Sequence, residues 1–335
     1  MDLSTSYLGF TLPHPFLPGA SPLANDLGTV RALEDAGAPM IVLPSLFEEQ
    51  IAAEQHATDF AYGQGTDSHA EATSYLPELD DAGHGGDAYL ELVRRTKAAV
   101  GIPVVASLNG VTPGGWTDHA RLIVEAGADA LELNLYDVAM DSEESAAQVE
   151  ERLLTIVRSV RAAVRVPMAV KLSPYFTSFA HFAKQIEEVG ADGLVVFNRF
   201  FQPDVDIENQ EVRRAYPSHR SEILLRLHWL AVLSAQRRLS LAATGGVHTE
   251  IEAVKAIMCG AHAVQVVTRL HKSGPGALRE LRTRLADWLE AHEYDSVAQM
   301  RGSLNLARCP DPRLYERGNY IHILKSWDLA MKDGF

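Results

Sequence analysis

The chain has 335 residues, a net charge of −14 and a composition of 47% hydrophobic and 22% charged residues. This balance is typical of a folded globular protein and excludes a disordered chain. No apolar run approaches the roughly 18 residues of a membrane span, and the first residues do not form a secretory signal. Two cysteines, Cys259 and Cys309, provide no disulfide framework, zinc site or iron–sulfur cluster. We therefore expect a cytoplasmic protein that binds no nucleic acid, which would need a basic surface.

Short apolar runs alternate with helix-length segments in which apolar residues recur every three or four positions. The predicted strands are residues 14–19, 40–43, 102–108, 130–135, 166–172, 193–197, 239–243 and 263–267. The predicted helices are residues 26–36, 87–100, 117–126, 142–164, 178–189, 222–237, 249–258 and 276–291. Eight strands that are each followed by a helix predict an α/β fold of the (β/α)8 TIM barrel type, with a doubly wound parallel sheet as the alternative.

A glycine ends four of the predicted helices in a similar way. The motifs are Ala-Gly-Ala-Pro at 36–39, Ala-Gly-Ala-Asp at 126–129, Val-Gly-Ala-Asp at 189–192 and Cys-Gly-Ala-His at 259–262. Glycine just past a helix adopts the left-handed conformation that other residues resist. A predicted strand begins within a few residues each time, which favours a repeated β/α unit.

Two long segments, 47–86 and 199–220, interrupt the alternation. Loops of this length are usually functional lids or carry small strands, and both follow a predicted strand. We therefore expect two loop insertions over the C-terminal face of the barrel. Residues 1–306 are predicted to form the barrel domain, and residues 307–335 a tail that packs on the barrel or on a partner.

Polar residues at the ends of the predicted strands identify the candidate site, since active sites of such barrels lie at the carboxyl ends of the strands. They are Ser45, Asn109, Asn134, Lys171, Asn198, Gly245, Gly246 and Thr268. Neutral polar groups with one lysine suit a planar polar ring better than they suit a hydrolytic dyad.

Lys171 ends an apolar strand, where a buried amine needs an anionic partner or a reaction to perform. It could hold the edge of a flavin on which negative charge collects during reduction, form a Schiff base, or simply pair with a neighbouring carboxylate. Asn134 and Asn198 could bind a ring or be ordinary strand-end asparagines. Asp137 could act as a base, or cap a helix that starts near Ser142.

The motif Ala-Thr-Gly-Gly-Val at 243–247 follows the seventh predicted strand and precedes a helix. Its glycines could direct backbone N–H groups at an anion, and Val267 and Thr268 at the next strand end could complete a phosphate pocket. A simple tight turn is the alternative. The histidines His181, His228, His262 and His271 lack metal-ligand spacing, and we predict no metal site.

With these motifs in view, the chain resembles the dihydroorotate dehydrogenase family, most closely its soluble class 1 type, from about His14 to Leu306. The motifs that carry the resemblance are His-Pro-Phe-Leu-Pro-Gly-Ala-Ser at 14–21, Val-Lys-Leu-Ser-Pro-Tyr-Phe at 170–176, Ala-Thr-Gly-Gly-Val at 243–247, and residues 259–268 with 270–275. The resemblance implies a (β/α)8 barrel that binds FMN.

The resemblance also implies roles for individual residues. It places Ala20 and Ser45 against the flavin, Asn134 and Lys171 at its ring, and Gly245, Gly246, Val267 and Thr268 at its phosphate. In this family a base removes a proton from C5 of dihydroorotate while hydride passes from C6 to flavin N5. A separate electron acceptor then reoxidises the FMN. The family further implies a homodimer and a role in pyrimidine biosynthesis.

The sequence departs from the family pattern on the substrate side. The family's base cysteine falls on Asp137 and a following asparagine on Ala139, while a substrate lysine falls on Pro44, a loop asparagine near Ala72, and a serine on Arg199. Each unpaired substrate group costs roughly 1–3 kcal/mol, and an ordinary carboxylate is a weak base for a carbon acid. We therefore hypothesise that the flavin half of the site is kept and the substrate half is altered.

In this hypothesis Asn134, Asn198 and Arg199 bind the substrate, Arg199 replaces the missing cation, and Asp137 and Lys171 are the catalytic residues. The predicted activity is that of an FMN-dependent oxidoreductase acting on dihydroorotate or a related small cyclic CH–CH substrate. Two alternatives stay open. One is a flavin-binding accessory protein without dihydroorotate activity, and the other is an aldolase-like barrel in which Lys171 forms a Schiff base.

Overall fold

The computed structural model describes residues 1–51, 86–110, 112, 116–199, 203–214 and 218–330. Eight parallel strands form one sheet: β3 (Phe16–Pro18), β4 (Ile41–Phe47), β5 (Val104–Asn109), β6 (Ala130–Leu135), β7 (Met168–Leu172), β8 (Gly193–Val196), β11 (Ser240–Thr244) and β12 (Ala263–Val266). From β4 to β12 each strand pairs with the next one in this series, and β12 also pairs with β3. The sheet is nearly closed, because β3 and β4 lie side by side. The predicted (β/α)8 TIM barrel is therefore confirmed.

Helices connect the strands of this barrel or follow its last strand. They are α1 (Leu27–Asp35), α2 (Gly86–Ala99), α3 (Trp116–Glu125), α4 (Ala146–Ala163), α5 (Phe179–Glu188), α6 (Ile223–Gln236), α7 (Glu250–Met258), α8 (Thr268–Ser273), α9 (Ala277–Ala291), α10 (Val297–Met300) and α11 (Asn319–Ala330). Short 3-10 turns occupy Pro22–Asn25, Arg220–Glu222 and Pro312–Tyr315. None of the helices in the described part of the chain is long and apolar enough to cross a membrane.

Alternation along the strands separates two environments, since successive side chains of a strand point to opposite faces. In β6, the odd-numbered leucines from 131 to 135 join the large cluster beneath the helices. The residues between them, Glu132 and Asn134, are buried inside the barrel. An N-terminal hairpin, β1 (Thr5–Tyr7) and β2 (Phe10–Leu12), closes the amino-terminal end of the barrel with Tyr7 and other apolar side chains. The opposite, carboxyl end is where polar side chains collect.

The glycines that follow the helices have the conformation that the sequence predicts. Gly37, Gly127, Gly190 and Gly260 have φ angles of 98°, 109°, 102° and 115°. Space adds a second requirement at Gly260, where a Cβ would lie only 2.2 Å from the Ser234 side chain. The repeated motif therefore marks helix ends whose return to the sheet needs glycine.

Two element boundaries differ from the prediction for local reasons. The helix predicted at 142–164 begins only at Ala146, because Ser145 caps it in a reciprocal pairing with the Gln148 side chain. Asp137 is therefore not the cap of this helix. The strand predicted at 40–43 continues to Phe47, with a register irregularity around Pro44, which has no N–H group to donate.

The two predicted insertions fall differently within the described residues. The second one, 199–220, carries a small antiparallel pair of strands, β9 (Pro203–Asp206) and β10 (Glu211–Arg214). Small strands were one of the two possibilities expected for such a loop, the other being a functional lid. Most of the first one, 47–86, lies outside the described residues.

The chain from Leu306 onwards contacts α6 and the backbone of Leu304. The Leu306 N–H donates to the Ala231 carbonyl at 3.0 Å, and the Tyr315 hydroxyl donates to the Leu304 carbonyl at 2.7 Å. The rings of Tyr315 and His228 lie with their centroids 5.9 Å apart. The division into a barrel of residues 1–306 and a tail of 307–335 stays a prediction.

His262 links two neighbouring strands and is held in its neutral form. Its Nδ1 accepts a hydrogen bond from the Leu241 N–H at 3.0 Å, which requires an unprotonated nitrogen. Burial lowers the pKa of His262 to about 4, and the nearby Arg301 adds to this effect. The ordinary pKa of an unfolded histidine is about 6.5. Between these two values the unfolded chain binds a proton that the folded chain does not bind.

We expect the free energy of unfolding to fall as the pH drops from 6.5 towards 4, with His262 contributing about 2 kcal/mol of loss by pH 5. His262→Asn keeps an acceptor for the Leu241 N–H and removes the titration, so its stability should fall correspondingly less between pH 7 and pH 5. Urea unfolding at both pH values measures this difference. His181→Asn, at an exposed position on α5, is the control, and an unchanged pH slope in His262→Asn would contradict the assignment.

Candidate active site

A cavity of about 750 Å³ opens at the carboxyl end of the barrel. It is lined by residues in or just after all eight strands of the sheet, near their carboxyl ends, as expected for this fold. Asn109, a candidate from its strand-end position alone, lines this cavity. Of the eleven residues that the sequence predicts to bind flavin or substrate or to act in catalysis, ten also line it: Ala20, Ser45, Asn134, Lys171, Asn198, Arg199, Gly245, Gly246, Val267 and Thr268. Asp137 is the exception.

Lys171 lies in the cavity wall and is largely buried, with 7% of its surface exposed. Its Nζ is 3.3 Å from Oε1 of Glu132, a carboxylate that is 1% exposed inside the barrel. The other carboxylate oxygen accepts a hydrogen bond from Gln265 Nε2 at 2.5 Å. The lysine is thus a fixed positive charge with one face towards the cavity and a carboxylate behind it.

Asparagine side chains share the level of Lys171 on the neighbouring strands. The strand register places Asn109 opposite Asn134, and Asn134 opposite Lys171. Asn198 Nδ2 donates to Asn134 Oδ1 at 2.8 Å, which leaves the Asn134 amide nitrogen available as a donor. The three asparagines and the lysine form a polar band on one side of the cavity. Such a band can bind the carbonyl and N–H groups of a planar ring.

Ser45 is positioned by a second buried network. Its hydroxyl lies 2.8 Å from the Ser107 hydroxyl on the next strand. Ser107 is anchored in turn by Tyr89, whose hydroxyl donates to the Ser107 carbonyl at 3.0 Å and accepts from its N–H at 2.8 Å. Tyr89 is fully buried, and burial raises the pKa of its phenol far above the ordinary value. Ser45 is therefore held by neutral hydrogen bonds.

The turn after β11 has the backbone that glycine allows. Gly245 and Gly246 have φ angles of 86° and 78°, and a Cβ on Gly246 would lie 2.6 Å from the Ile223 backbone nitrogen. Beneath the turn, Arg226 Nε donates to the Thr244 carbonyl at 2.8 Å. The turn thus has a conformation that requires glycine, and its backbone lines the cavity.

The helix after this turn contributes less to anion binding than the sequence suggests. The N–H groups of His248 and Thr249 both donate to the Glu252 side chain, at 3.3 and 2.7 Å. Thr249 in turn caps the Ile251 N–H. The start of α7 therefore has internal acceptors, and the glycine turn with Thr268 provides the candidate phosphate contacts.

Ser218 is a cavity residue that the sequence analysis did not identify. Its hydroxyl lies 2.8 Å from the Thr268 hydroxyl and 3.2 Å from His248 Nε2. The residue belongs to the long segment after β8, where no periodicity or motif indicates a position in space. Gln265 was also missed, although a single polar residue within the apolar run Ala-Val-Gln-Val-Val at 263–267 could have indicated an inward-facing side chain.

Arg199 lines the cavity from the segment after β8. Its Nε is 3.4 Å from Oε1 of Glu222. The other carboxylate oxygen of Glu222 is 3.9 Å from Arg226 Nη2. The cation that replaces the family's serine is thus present at the cavity and lies close to a carboxylate.

Asp137 lies outside this cavity. It lines a neighbouring cleft of about 510 Å³ together with Ala139, Glu144 and residues of the β7–α5 loop. Its Oδ2 is 2.5 Å from Arg152 Nη2, and the same guanidinium binds Glu144. The structure therefore does not bring Asp137 together with the other predicted site residues.

Comparisons with known proteins agree with this architecture. A model of the family described as dihydroorotate dehydrogenase matches residues 80–289. The catalytic subunit of dihydroorotate dehydrogenase B (NAD(+)) from Thermoplasma volcanium is 24% identical over 314 residues, which cover 90% of this chain and 98% of the relative. The same subunit from Methanothermobacter thermautotrophicus is 27% identical over 208 residues, which cover 60% of this chain and 68% of the relative.

A further relative has a different name. The NAD-dependent dihydropyrimidine dehydrogenase subunit PreA from Escherichia coli is 24% identical over 321 residues, covering 91% of this chain and 77% of the relative. All three relatives are named as dehydrogenase subunits, which are oxidoreductases. Because the family model covers more than half of its length, this chain belongs to the dihydroorotate dehydrogenase family.

Proposed function

We propose that this protein is an FMN-dependent oxidoreductase that transfers a hydride between a small cyclic CH–CH substrate, dihydroorotate or a relative of it, and the flavin. The observation that carries the proposal is the convergence of ten residues, chosen from the sequence for flavin and substrate, on one cavity of about 750 Å³. Family membership supports the same chemistry.

The donor set fits FMN. Lys171 supplies a positive charge at the level of the asparagine band, where carbonyl groups of a flavin ring need donors. Gln265 lines the same cavity, and its Oε1 has no hydrogen-bond partner among the described residues. The glycine turn, Val267 and Thr268 supply backbone and hydroxyl donors for a phosphate. FMN, when bound, supplies a two-electron acceptor of hydride.

The chain's own residues then hold the substrate. Asn134 and Asn198 orient a polar ring through amide groups that are already fixed by their mutual hydrogen bond. Arg199 is placed to balance an anionic substituent, in exchange for part of its interaction with Glu222. Lys171 would face the negative charge that a bound flavin gains on reduction. Lys171 also lies 3.3 Å from the Glu132 carboxylate, a contact that a Schiff base at this nitrogen would have to replace.

The role proposed for Asp137 is to remove a proton from the substrate. In this proposal Asp137 becomes the base only after its loop turns towards the cavity, because its carboxylate now binds Arg152. That ion pair occupies the carboxylate and holds it away from the cavity. This position favours a second candidate function, a flavin-binding accessory protein without dihydroorotate activity.

We propose a separate electron acceptor as partner, since relatives are named as subunits of NAD-dependent enzymes. A homodimer and a role in pyrimidine biosynthesis are expectations from the family.

Purification without added flavin tests the proposal directly. We expect the protein to carry a visible flavin absorbance spectrum, which anaerobic addition of dihydroorotate bleaches. A flavin spectrum that stays oxidised with dihydroorotate would favour the accessory function or a different substrate. A colourless protein that takes up no FMN would contradict the proposal.

The phosphate site has its own test, Thr268→Val. The change removes one hydroxyl donor and should weaken FMN binding by at least tenfold, because a hydrogen bond to a charged group contributes about 1.5–3 kcal/mol. Riboflavin, which lacks the phosphate, should bind the variant and the wild type equally. Fluorescence titration of the flavin-free protein measures both affinities, and Thr155→Val on α4 is the matched control. An equal loss of affinity for both ligands would show that Thr268 does not contact the phosphate.

The role of Asp137 is tested against Glu144, the other carboxylate that binds Arg152. Asp137→Asn should slow flavin reduction by the substrate by at least a hundredfold if Asp137 is the base, since general base catalysis contributes about 10²–10⁴-fold. Glu144→Gln should not slow reduction, because it only loosens the ion pair that holds Asp137 away. Stopped-flow reduction with the substrate measures both rates. An unchanged rate in Asp137→Asn would assign proton removal to another group.

A further inference from the structure

A charged pair lies directly below the cavity floor. Glu132 and Lys171 occupy adjacent strands, with Oε1 and Nζ 3.3 Å apart. Lys171 lines the cavity, whereas Glu132 is 1% exposed and is not among the described lining residues. The strand register pairs Asn134 with Lys171 and Glu132 with Ala169, so the carboxylate lies one level deeper in the barrel. The lysine therefore separates the carboxylate from the cavity.

The surroundings of Glu132 make its charge costly. The deeper layer of the barrel interior is apolar, with side chains such as Val105, Ala169, Val195 and Ala242. A buried carboxylate needs a cation and further hydrogen bonds, and a well-packed apolar residue is often at least as stable in such a place. Stability of the barrel alone does not explain a glutamate here.

The carboxylate also fixes the orientation of Gln265. A carboxylate only accepts hydrogen bonds, so the Gln265 amide must present Nε2 to it, as observed at 2.5 Å. The Gln265 Oε1 is then left without a partner among the described residues. One buried carboxylate thus controls two cavity residues, the ammonium of Lys171 and the amide of Gln265. Its charge also reaches the buried Tyr7, whose pKa is raised first by burial and then by Glu132.

We propose that Glu132 is a positioning residue that holds Lys171 and Gln265 and, as the counter-charge of Lys171, sets the reduction potential of the flavin. The inference rests on the proposed function. With the pair intact, the cavity floor has no net charge. Removing the carboxylate would leave an uncompensated positive charge that stabilises the reduced flavin, since negative charge collects on it during reduction. Removing the lysine would have the opposite effect.

The size of the effect follows from Coulomb's law. At an effective dielectric constant of about 20, a unit charge within about 10 Å changes an equilibrium constant at least tenfold. For a two-electron couple, a tenfold change corresponds to about 30 mV. We therefore expect Glu132→Gln to raise the midpoint potential of the bound flavin by about 30 mV or more, and Lys171→Met to lower it.

The double variant Glu132→Gln/Lys171→Met separates charge from structure. It removes both charges together, so its midpoint potential should lie between those of the two single variants, and it also serves if either single variant folds poorly. Dye-coupled anaerobic titration measures the potentials, and thermal unfolding monitors the fold. A Glu132→Gln protein with lowered thermal stability and an unchanged potential would mean a structural role only and would overturn the proposal.

A second measurement does not depend on the flavin. In the flavin-free protein, a small amine-reactive reagent such as acetic anhydride should acetylate Lys171 at neutral pH. We expect this reaction to be several times faster in Glu132→Gln than in the wild type, because the ammonium loses its counter-charge. Peptide mass spectrometry reads the labelling, and Lys184 on α5 is the internal control because its partner is Glu188 and not Glu132. An unchanged labelling rate would overturn the pairing. If the protein binds no flavin, the proposed function fails, while the labelling still decides whether Glu132 controls Lys171.

Discussion

The parallel register of β5, β6 and β7 is the constraint on which the site depends. It aligns Asn109, Asn134 and Lys171 at one level across three strands. Because side chains alternate along a strand, the same register sends Leu133 and Leu172 outward to the helices. A slip of one residue in any of these strands would move its polar side chain under a helix and a leucine into the cavity. The packing of the outer core therefore determines the chemistry of the inner surface.

Much of this arrangement could be predicted from the sequence, because it depends on local patterns. The apolar runs and the glycines that follow the helices fix where strands begin, and the polar residue at each strand end then points to the barrel mouth. Ser45, Asn134, Lys171 and Thr268 were found in this way, and all of them line the cavity. The family resemblance added Ala20, which has no chemical signal of its own.

The remaining features depend on contacts between distant residues. The sequence places Asp137 three residues after Asn134, but its position is decided by Arg152 on the next helix. An alignment with a family motif assigns a position along the chain and carries no information about that ion pair. Ser218 reaches Thr268 from a segment without periodicity, and Glu132 appears in the sequence only as one charged residue within an apolar strand. Each of these residues is defined by a partner at least 15 positions away.

The charges of the cavity follow a common pattern once these partners are known. Lys171 has Glu132 behind it, and Arg199 has Glu222 beside it, so both of these cations lie near carboxylates. At the other end of the cavity, the glycine turn, Ser218 and Thr268 offer neutral donors, with Lys272 exposed at the edge. A permanently charged phosphate can be held by neutral donors and solvent-exposed cations. The reduction potential of a ring whose charge changes during the reaction is more sensitive to nearby charges. A buried ion pair that one substitution can unbalance is therefore a means of tuning that potential. In the proposed function, the phosphate end of the cavity therefore consists of neutral binding groups, whereas the ring and substrate end consists of charges that are balanced by carboxylates.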